Sequence, residues 1–247
     1  GRPLQVFNGT AWVDYTPGST VNLIGGRLLV RTAIVNDSTY EGAETFQLRV
    51  TPSSGNAAYG TATILDDGTG SIFPDNKTGN PDPDAPRDDD RALQVSDVLV
   101  NEASPYAVFR VTGKAGQAVV SLALQNDVDA ASADATLGVD AGRALEYFNG
   151  TAWVAYGGGT VILPASGELL VRTPVTNDST YEGAETLQLK ASNSSGTASY
   201  GTATVLDDGT GNIYPDNTTG NPDPDATRDD DRAVKVNNVE VNEASPY

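Results

Sequence analysis

The chain contains no cysteine and no histidine. Without cysteine it can form no disulfide framework, no thiolate zinc site and no cysteine nucleophile. Without histidine it has no Ser-His-Asp triad and lacks the commonest transition-metal ligand. These two absences exclude most of the usual catalytic arrangements, and we expect the protein not to be an enzyme.

Basic residues are scarce as well: 15 Lys and Arg stand against 33 Asp and Glu, and the formal net charge is −18. This balance disfavours nucleic-acid backbones and anionic membrane surfaces as partners, and it favours cations. No apolar run approaches the roughly 20 residues that span a bilayer. The opening letters GRPLQVFNGT do not have the form of a signal peptide. We therefore expect a soluble segment without membrane insertion, whose export signal lies outside it.

The acids that are present concentrate in two windows, 66–90 and 207–231, which hold eight Asp each. The windows are copies, because the chain repeats itself at an offset of 141 residues that aligns Phe7 with Phe148. At this offset 72 of the 106 overlapping positions are identical. A period of this length is much longer than a solenoid unit and predicts tandem domains that are each large enough to fold alone.

Runs rich in Pro, Asp, Asn and Gly divide the repeats. The segments 74–91 and 215–232 contain residues that break helix and strand alike, and we expect them to be linkers. The chain then comprises an incomplete repeat without its first strands (1–73), a complete repeat (92–214) and the first strand of a third repeat (233–247). Such a division is expected of an excerpt from a longer array.

Short runs of alternating apolar and polar residues recur between turn-forming residues in the complete repeat. Seven such runs are 92–100, 106–111, 118–124, 160–164, 168–175, 185–192 and 198–206. They predict an all-β fold, a sandwich of about seven antiparallel strands without helices. The motif FNGTAWV at 148–154 predicts a hairpin with a type I′ turn, since both central residues of that turn need positive φ. We expect Trp153, beside the turn, to pack into the core.

Three motifs together identify a family likeness. NDSTYEGAET occurs at 36–45 and again at 177–186, VNEASPYAVF at 100–109, and GTATVLDDG at 201–209. With them the repeat resembles the Calx-β domain, in the variant that is arrayed in giant bacterial surface proteins and adhesins. The resemblance covers the whole period. It implies tandem Greek-key, immunoglobulin-like β-sandwiches, with Ca²⁺ bound at one end of each sandwich.

The resemblance also implies which acids bind Ca²⁺. In the complete repeat they are Glu102, Asp178, Glu182, Asp207 and Asp208. In the incomplete repeat they are Asp37, Glu41, Asp66 and Asp67. Carboxylates gathered from three loops suit Ca²⁺, which takes six to eight oxygen ligands. The sequence has Asp-Asp-Gly and Glu-Gly-Ala-Glu where calcium-binding members often have further acids, which implies weaker, micromolar to millimolar binding.

Each acidic motif also has an interpretation without metal. The NDSTYEGAE loop fits a tight turn in which Gly183 supplies an unusual φ, and the LDDG motif fits a solvated strand end. Glu102 follows the acids of the first repeat by one linker, so it is alternatively a bridge between successive domains. The run 223–231 is either a self-repelling spacer or a second Ca²⁺ loop with Asp223, Asp225 and Asp229 as ligands.

The function that these patterns favour is structural. Tandem repeats would form a stalk or fibre for adhesion, rigidified by Ca²⁺, at an extracellular bacterial cell surface, with neighbouring repeats and other copies in a fibre as partners. One alternative is a module that binds a carbohydrate or protein through its loops. Another is a strand-complemented filament, in which 234–241 of one molecule completes the sheet of 1–73 in the next.

Overall fold

The structure, a computed structural model, describes residues 3–126 and 133–247. Within these residues it contains seventeen strands and no helix, which confirms the predicted all-β class. The chain divides into two units, one formed by residues 1–92 and 193–197 and the other by residues 93–192 and 198–247. In the described part of the chain, no helix has the length and apolarity to cross a membrane.

The first unit contains two small sheets. Its strands are β1 (Gln5–Phe7), β2 (Trp12–Asp14), β3 (Val30–Arg31), β4 (Glu44–Val50) and β5 (Ala58–Ile64). Strand β1 pairs antiparallel with β2 and β3, and β4 pairs antiparallel with β5. Among the described residues of this unit only Val6 is a buried apolar side chain, so most of the apolar surface of its strands faces solvent.

The second unit holds the other twelve described strands. They are β6 (Gln94–Val95), β7 (Val98–Asn101), β8 (Tyr106–Thr112), β9 (Ala118–Val119), β10 (Ser121–Asn126), β11 (Ala133–Asp134), β12 (Glu146–Phe148), β13 (Trp153–Ala155), β14 (Val161–Ile162), β15 (Glu168–Pro174), β16 (Glu185–Ser192) and β17 (Ala198–Leu206). One sheet has the order β10-β16-β17-β7, with β11 also paired to β16, and the other has the order β13-β12-β15-β8-β6. Strands β9 and β14 form a separate pair.

The two larger sheets of the second unit enclose one apolar core, which makes the unit a β-sandwich. Phe109 and Val171 from one sheet and Leu187 and Leu189 from the other are fully buried in the same cluster. Burial alternates along β17, as the period-two pattern predicts. Each such apolar side chain contributes about 1.5–3 kcal/mol relative to an exposed one. The Greek-key connection of the strands stays a prediction.

The sheets are not purely antiparallel, so that part of the expectation is wrong. Strand β7 pairs with β17 in parallel, and β11 pairs with β16 in parallel. The alternation of apolar residues reports which side chains face the core, and it is the same for either strand direction. Strand direction matters here because it brings the carboxyl ends of β7 and β17 to the same edge of the sandwich.

The FNGTAWV motif forms the predicted hairpin of β12 and β13, but the predicted turn is wrong. Gly150 has a φ of 95°, whereas no described non-glycine residue has a positive φ, so Asn149 does not occupy the conformation that a type I′ turn requires. A four-residue loop separates the paired Phe148 and Trp153 instead. The Asn149 Oδ1 accepts a hydrogen bond from the backbone N–H of Thr151 at 3.0 Å, which stabilises this wider loop.

Trp153 is half-buried and lies outside the apolar cluster, contrary to the expectation that it packs into the core. It packs against Arg172, whose guanidinium lies 4.2 Å from the centre of its ring and 3.7 Å from that of Tyr106. The Trp153 indole Nε1–H donates a hydrogen bond of 2.6 Å to the carbonyl oxygen of Asn217. Arg172 is buried and also donates to Asp216 at 2.7 Å.

These contacts hold part of segment 215–232 against the β-sandwich of the second unit. The first unit has the same arrangement, because Arg31 lies 4.3 Å from the centre of the Trp12 ring and donates to Asp75. The Trp12 indole N–H donates to the carbonyl oxygen of Asn76 at 2.8 Å. In each unit the Pro/Asp-rich segment therefore lies on the β-structure that precedes it.

Candidate metal site

A small pocket lies at the end of the second unit where β7 and β17 finish. Because these strands are parallel, Asn101 and Leu206 pair at the same edge, and the acids that follow them are brought together. The pocket has about 20 Å³ of room, enough for one water molecule or one ion. Its lining includes six acids, which are Glu102, Asp140, Asp178, Glu182, Glu185 and Asp207.

Glu102 follows β7 directly and is buried. Its backbone N–H donates to the carbonyl oxygen of Leu206 at 2.8 Å, and its Oε1 accepts a hydrogen bond from the backbone N–H of Asp178 at 2.6 Å. Burial raises the pKa of Glu102, and the neighbouring carboxylates of Asp178, Asp207 and Asp231 raise it further. The residue thus ties the end of β7 to the loop between β15 and β16.

Asp207 is the most buried acid of the pocket, with 2% of its surface exposed. Its Oδ2 accepts hydrogen bonds from the backbone N–H groups of Glu182 at 2.6 Å and Gly183 at 3.3 Å. Its Oδ1 is buried and has no hydrogen-bond partner. An unpaired buried carboxylate oxygen is costly, so this atom requires a partner that the protein itself does not supply.

Asp231 approaches the same pocket from the Pro/Asp-rich segment. Its backbone N–H donates to the carbonyl oxygen of Asp207 at 3.0 Å, and its Oδ2 is buried without a partner. Carboxylate oxygens of Asp231, Glu102 and Asp178 all lie within 4.8 Å of one another. Burial raises the pKa of Asp231, and the carboxylates of Asp229, Asp178 and Asp207 raise it further.

A second acidic group adjoins the first. Carboxylate oxygens of Asp140, Glu182 and Glu185 also lie within 4.8 Å of one another. Asp140 accepts a hydrogen bond of 2.7 Å from the backbone N–H of Thr136, which fixes its carboxylate. Burial raises the pKa of Glu185 to about 7, and the charges of Asp140 and Glu182 add to the effect. Neutralisation of this group by a proton or by a cation is therefore favourable.

The first unit repeats the arrangement around Asp66 and Asp90. Asp66 Oδ2 accepts hydrogen bonds from the backbone N–H groups of Glu41 at 2.7 Å and Gly42 at 3.2 Å, as Asp207 does in the second unit. Asp90, 6% exposed, donates its backbone N–H to the carbonyl oxygen of Asp66 at 2.9 Å. One oxygen each of Asp66, Asp88 and Asp90 is buried without a partner.

The pKa values in the first unit shift in the same direction. Burial raises the pKa of Asp90, with a further contribution from the charges of Asp88 and Asp66. The pKa of Glu41 is raised by the charge of Glu44 and, more weakly, by that of Asp37. Each of the two units therefore concentrates, at one site, negative charge that only a proton or a cation can neutralise.

Other acids that the sequence suggested as ligands are engaged elsewhere. Asp208 is outside the pocket lining, and its Oδ1 accepts hydrogen bonds from the backbone N–H and the hydroxyl of Thr210. The hydroxyl lowers the pKa of Asp208, and Thr69 does the same for Asp67 in the first unit. These residues form turns that are satisfied without metal.

The acids of the Pro/Asp-rich segment also differ in their surroundings. Asp223 is exposed and accepts a hydrogen bond of 3.0 Å from the backbone N–H of Asp225, which is exposed too. Asp229 donates its backbone N–H to the Oδ1 of Asn101 at 2.9 Å and is half-buried near the pocket. Asp37 and Asp178 occupy equivalent turns, and each accepts the backbone N–H of the residue two positions later.

Four acids of the sites were not singled out as ligands by the sequence: Asp88, Asp90, Asp140 and Glu185. Asp231 was considered only as part of the alternative second Ca²⁺ loop at 223–231. Asp140 lies between strands in a stretch without a motif, so nothing marked it. Asp90 and Asp231 are the last acids of the runs RDDDR, each directly followed by an arginine. That arginine pairs with the preceding acid, Asp89 or Asp230, and not with the last acid.

The donor set fits a hard divalent cation. Six of the ten residues that line the pocket are Asp or Glu, and Ca²⁺ binds six to eight oxygens in flexible geometry. Asp207 Oδ1 and Asp231 Oδ2 are buried without partners, and carboxylate oxygens of Glu102 and Asp178 lie within 4.8 Å of one of Asp231. The residues present therefore fit Ca²⁺ on the chemistry of the oxygens and on their lack of other partners.

No family model matches the sequence, and no curated protein matches it. A solved structure of the CupB2 chaperone of Pseudomonas aeruginosa is 12% identical over 46% of this chain and 54% of that protein, with a TM-score of 0.29. A 1.5-MDa bacterial ice-binding adhesin is 16% identical over 83% of this chain and 52% of its own, with a TM-score of 0.20.

A third structure, of a Ca²⁺-stabilised ice-binding adhesin from an Antarctic bacterium, is 13% identical over 83% of this chain, with a TM-score of 0.19. The chain spans about half of the first two structures and 39% of the third. At these TM-scores the similarities carry no argument about function.

Proposed function

We propose that this chain is a structural segment of an extracellular bacterial surface protein, in which Calx-β-like repeats form a stalk for adhesion and Ca²⁺ stabilises one end of each repeat. The proposed ligands in the second unit are Glu102, Asp178, Asp207 and Asp231, with Asp140, Glu182 and Glu185 beside them. In the first unit they are Asp37, Asp66, Asp88 and Asp90.

The observation that carries the proposal is that two equivalent carboxylates in each unit have a buried oxygen without a partner. Asp66 and Asp207 are equivalent in the repeat, and so are Asp90 and Asp231, and each has one buried oxygen without a hydrogen bond. Buried polar atoms in proteins are rarely left unpaired, and a repeated exception requires an explanation. A bound cation explains it in both units at once.

The physical effect of Ca²⁺ follows from the positions of these acids. Without a cation, the carboxylates at the end of the sandwich repel each other and favour separation of the Pro/Asp-rich segment from the strand ends. With a cation, Asp231 of that segment shares a ligand shell with Glu102, which follows β7, and with Asp207, which follows β17. Binding to the folded state alone stabilises it by mass action, by about 2.7 kcal/mol at a hundredfold excess over the dissociation constant.

The repetition of the site favours a structural role over a catalytic one. An enzyme needs one active site with a proton-transfer group matched to its task. Here the same buried oxygens recur at the same positions of both units, and histidine and cysteine are absent. Recurring cation sites are instead expected where each repeat of an extended protein must be stabilised separately.

Thermal unfolding of the 247-residue chain with and without Ca²⁺ tests the proposal. We expect EDTA to lower the melting temperature and millimolar Ca²⁺ to restore it, with Mg²⁺ less effective because it demands octahedral geometry and dehydrates reluctantly. The comparison is made at constant ionic strength, so that screening of the net charge does not imitate binding. Equal melting temperatures in EDTA and in Ca²⁺ would contradict the calcium part of the proposal.

A further inference from the structure

Asn101, the last residue of β7, is a polar side chain with no exposed surface. Its Nδ2 donates hydrogen bonds to the carbonyl oxygens of Leu206 at 3.2 Å, Thr210 at 2.8 Å and Asp229 at 3.0 Å. Its Oδ1 accepts hydrogen bonds from the backbone N–H groups of Ala103 at 3.1 Å and Asp229 at 2.9 Å. One side chain thus joins the backbone of the second unit at four positions.

The contact with Asp229 uses both polar groups of one residue's backbone. Asp229 belongs to the Pro/Asp-rich segment, and Asn101 accepts from its N–H and donates to its carbonyl oxygen. A primary amide can make this paired contact because it carries two donor hydrogens and an acceptor oxygen. An aspartate at position 101 could accept from the N–H but could not donate to the carbonyl oxygen when ionised.

The segment also pairs with the residues that follow β17. The backbone N–H of Gly209 donates to the carbonyl oxygen of Asp229 at 2.8 Å, and that of Asp231 donates to the carbonyl oxygen of Asp207 at 3.0 Å. These bonds form a short antiparallel ladder between residues 207–209 and 229–231. The segment is therefore bound both to this ladder and to Asn101.

The docked segment holds the Asp231 carboxylate among other negative charges. One of its oxygens is buried without a partner, and its carboxylate lies within 4.8 Å of those of Glu102 and Asp178. Like charges at such distances repel and favour release of the segment. Asn101 is neutral, so its hydrogen bonds oppose this release without neutralising the carboxylates that a cation needs.

We propose that Asn101 is a positioning residue of the calcium site, which docks residues 229–231 on the strand ends before the cation binds and thereby presents the Asp231 carboxylate to it. The inference rests on the proposed calcium function and adds that the site is assembled in the metal-free protein. Without Asn101 only a fraction of the molecules would hold an assembled site. The apparent dissociation constant for Ca²⁺ would then rise in inverse proportion to that fraction.

Isothermal titration with Ca²⁺ tests the proposal. The reference is the 247-residue chain with Asp66→Asn and Asp90→Asn, so that the titration reports the second unit. We expect Asn101→Ala to raise the dissociation constant at least about tenfold, which corresponds to docking in about one molecule in ten. An unchanged dissociation constant would overturn the proposal.

A second variant loosens the segment without opening the core. The Arg228 Nε–H donates to the carbonyl oxygen of Gly211 at 2.6 Å, directly before the docked residues. Arg228→Ala should raise the dissociation constant at least about threefold. Arg232→Ala is the matched control, because it removes the same charge and its guanidinium pairs with Asp230 of its own segment. If Asn101→Ala does not fold, equal affinities of these two arginine variants would overturn the proposal.

A double-mutant cycle with Asp231→Asn separates positioning from a general loss of stability. If Asn101 acts through Asp231, Asn101→Ala should change the dissociation constant less than about twofold once Asp231 is already substituted. The same large effect in both backgrounds would show that Asn101 supports the sandwich and does not position this carboxylate.

Hydrogen exchange in EDTA measures the docking without any cation. The amide of Asp231 donates to the carbonyl oxygen of Asp207, and it should exchange at least about tenfold faster in Asn101→Ala than in the unsubstituted chain. Equal exchange rates would contradict docking by Asn101. Faster exchange in a protein that binds no Ca²⁺ would contradict the proposed calcium function, whereas Ca²⁺ binding that Asn101→Ala leaves unchanged would contradict the positioning role alone.

Discussion

The backbone N–H of Asp231 donates a 3.0 Å hydrogen bond to the carbonyl oxygen of Asp207, and each of these residues keeps one buried carboxylate oxygen without a partner. The hydrogen bond joins the end of β17 to a segment that begins beyond the last strand. The two carboxylates are thereby held near each other although their charges repel. Asp66 and Asp90 repeat the same relationship in the first unit, with a bond of 2.9 Å.

Substitution of the two adjacent acids that follow β17 should have different effects on Ca²⁺ binding. Asp207→Asn removes a buried charge from the pocket, and we expect Ca²⁺ affinity in the second unit to fall at least about tenfold, measured by isothermal titration. Asp208→Asn is the matched control, because its carboxylate is already satisfied by Thr210. In EDTA, Asp207→Asn should melt no lower than the wild type, since an unpaired buried charge is lost. Equal affinities of the two variants would contradict the assignment.

The neighbouring acids of the RDDDR run provide a second matched pair. Asp231→Asn should weaken Ca²⁺ binding, because its carboxylate oxygen lies within 4.8 Å of those of Glu102 and Asp178. Asp230→Asn should leave binding unchanged, because Asp230 pairs with Arg232 at 2.6 Å. The two variants have the same charge, so a difference between their affinities cannot arise from net charge. Equal losses of Ca²⁺ affinity in both variants would show that the segment contributes only its overall negative charge and supplies no specific ligand.

The sequence predicted the strands better than it predicted which acids meet in the pocket. Alternation located β16 and β17, and the resemblance named Glu102, Asp178 and Asp207, which do meet in one pocket. Asp208 was also named as a ligand, but it lies outside the pocket lining. Successive side chains in an extended segment point in opposite directions, so adjacent acids do not readily face one pocket.

The position of Asp231 could not be predicted from composition. A run rich in Pro and Asp has the composition of a solvated spacer. The chain is held to the sandwich by contacts that join residues far apart in sequence, such as Arg172 with Asp216 and Trp153 with Asn217. Nothing in the local pattern around 215–232 indicates these partners.

Glu185 should make the stability of the metal-free protein depend on pH. Its pKa is raised to about 7 in the folded state, whereas an unperturbed glutamate has a pKa of about 4.3. Because the folded state binds this proton more tightly, the stabilisation is fully present below about pH 4.3 and is lost as the pH rises through about 7. In EDTA, the free energy of unfolding should therefore decrease between about pH 5 and pH 7.5.

Urea unfolding in EDTA at a series of pH values measures this effect, with Glu185→Gln as the comparison. In Glu185→Gln the free energy of unfolding should decrease less over this pH range, because the amide does not titrate. Saturating Ca²⁺ should reduce the decrease in the wild type, because the cation replaces the proton. Identical pH profiles for wild type and variant would refute the contribution of Glu185.

Arg172 should contribute far more to stability than its ion-pair partner. Arg172→Ala removes a buried guanidinium that donates to Glu146 and Asp216 and lies over two aromatic rings, and we expect a loss of about 3–5 kcal/mol in urea unfolding. Asp216→Asn should cost less than about 1 kcal/mol, since the side chain of Asp216 is 68% exposed. A loss for Arg172→Ala no larger than that for Asp216→Asn would contradict the role of the stacked arginine.

Diffraction from crystals grown in millimolar Ca²⁺ tests the calcium site most directly. We expect a density peak about 2.4 Å from Asp207 Oδ1 and Asp231 Oδ2, with six to eight oxygen ligands, and an equivalent peak beside Asp66 and Asp90. Anomalous scattering distinguishes calcium from water at each position. Density in which these oxygens contact only water or protein donors at hydrogen-bond distances would show that neither unit binds Ca²⁺ at this site.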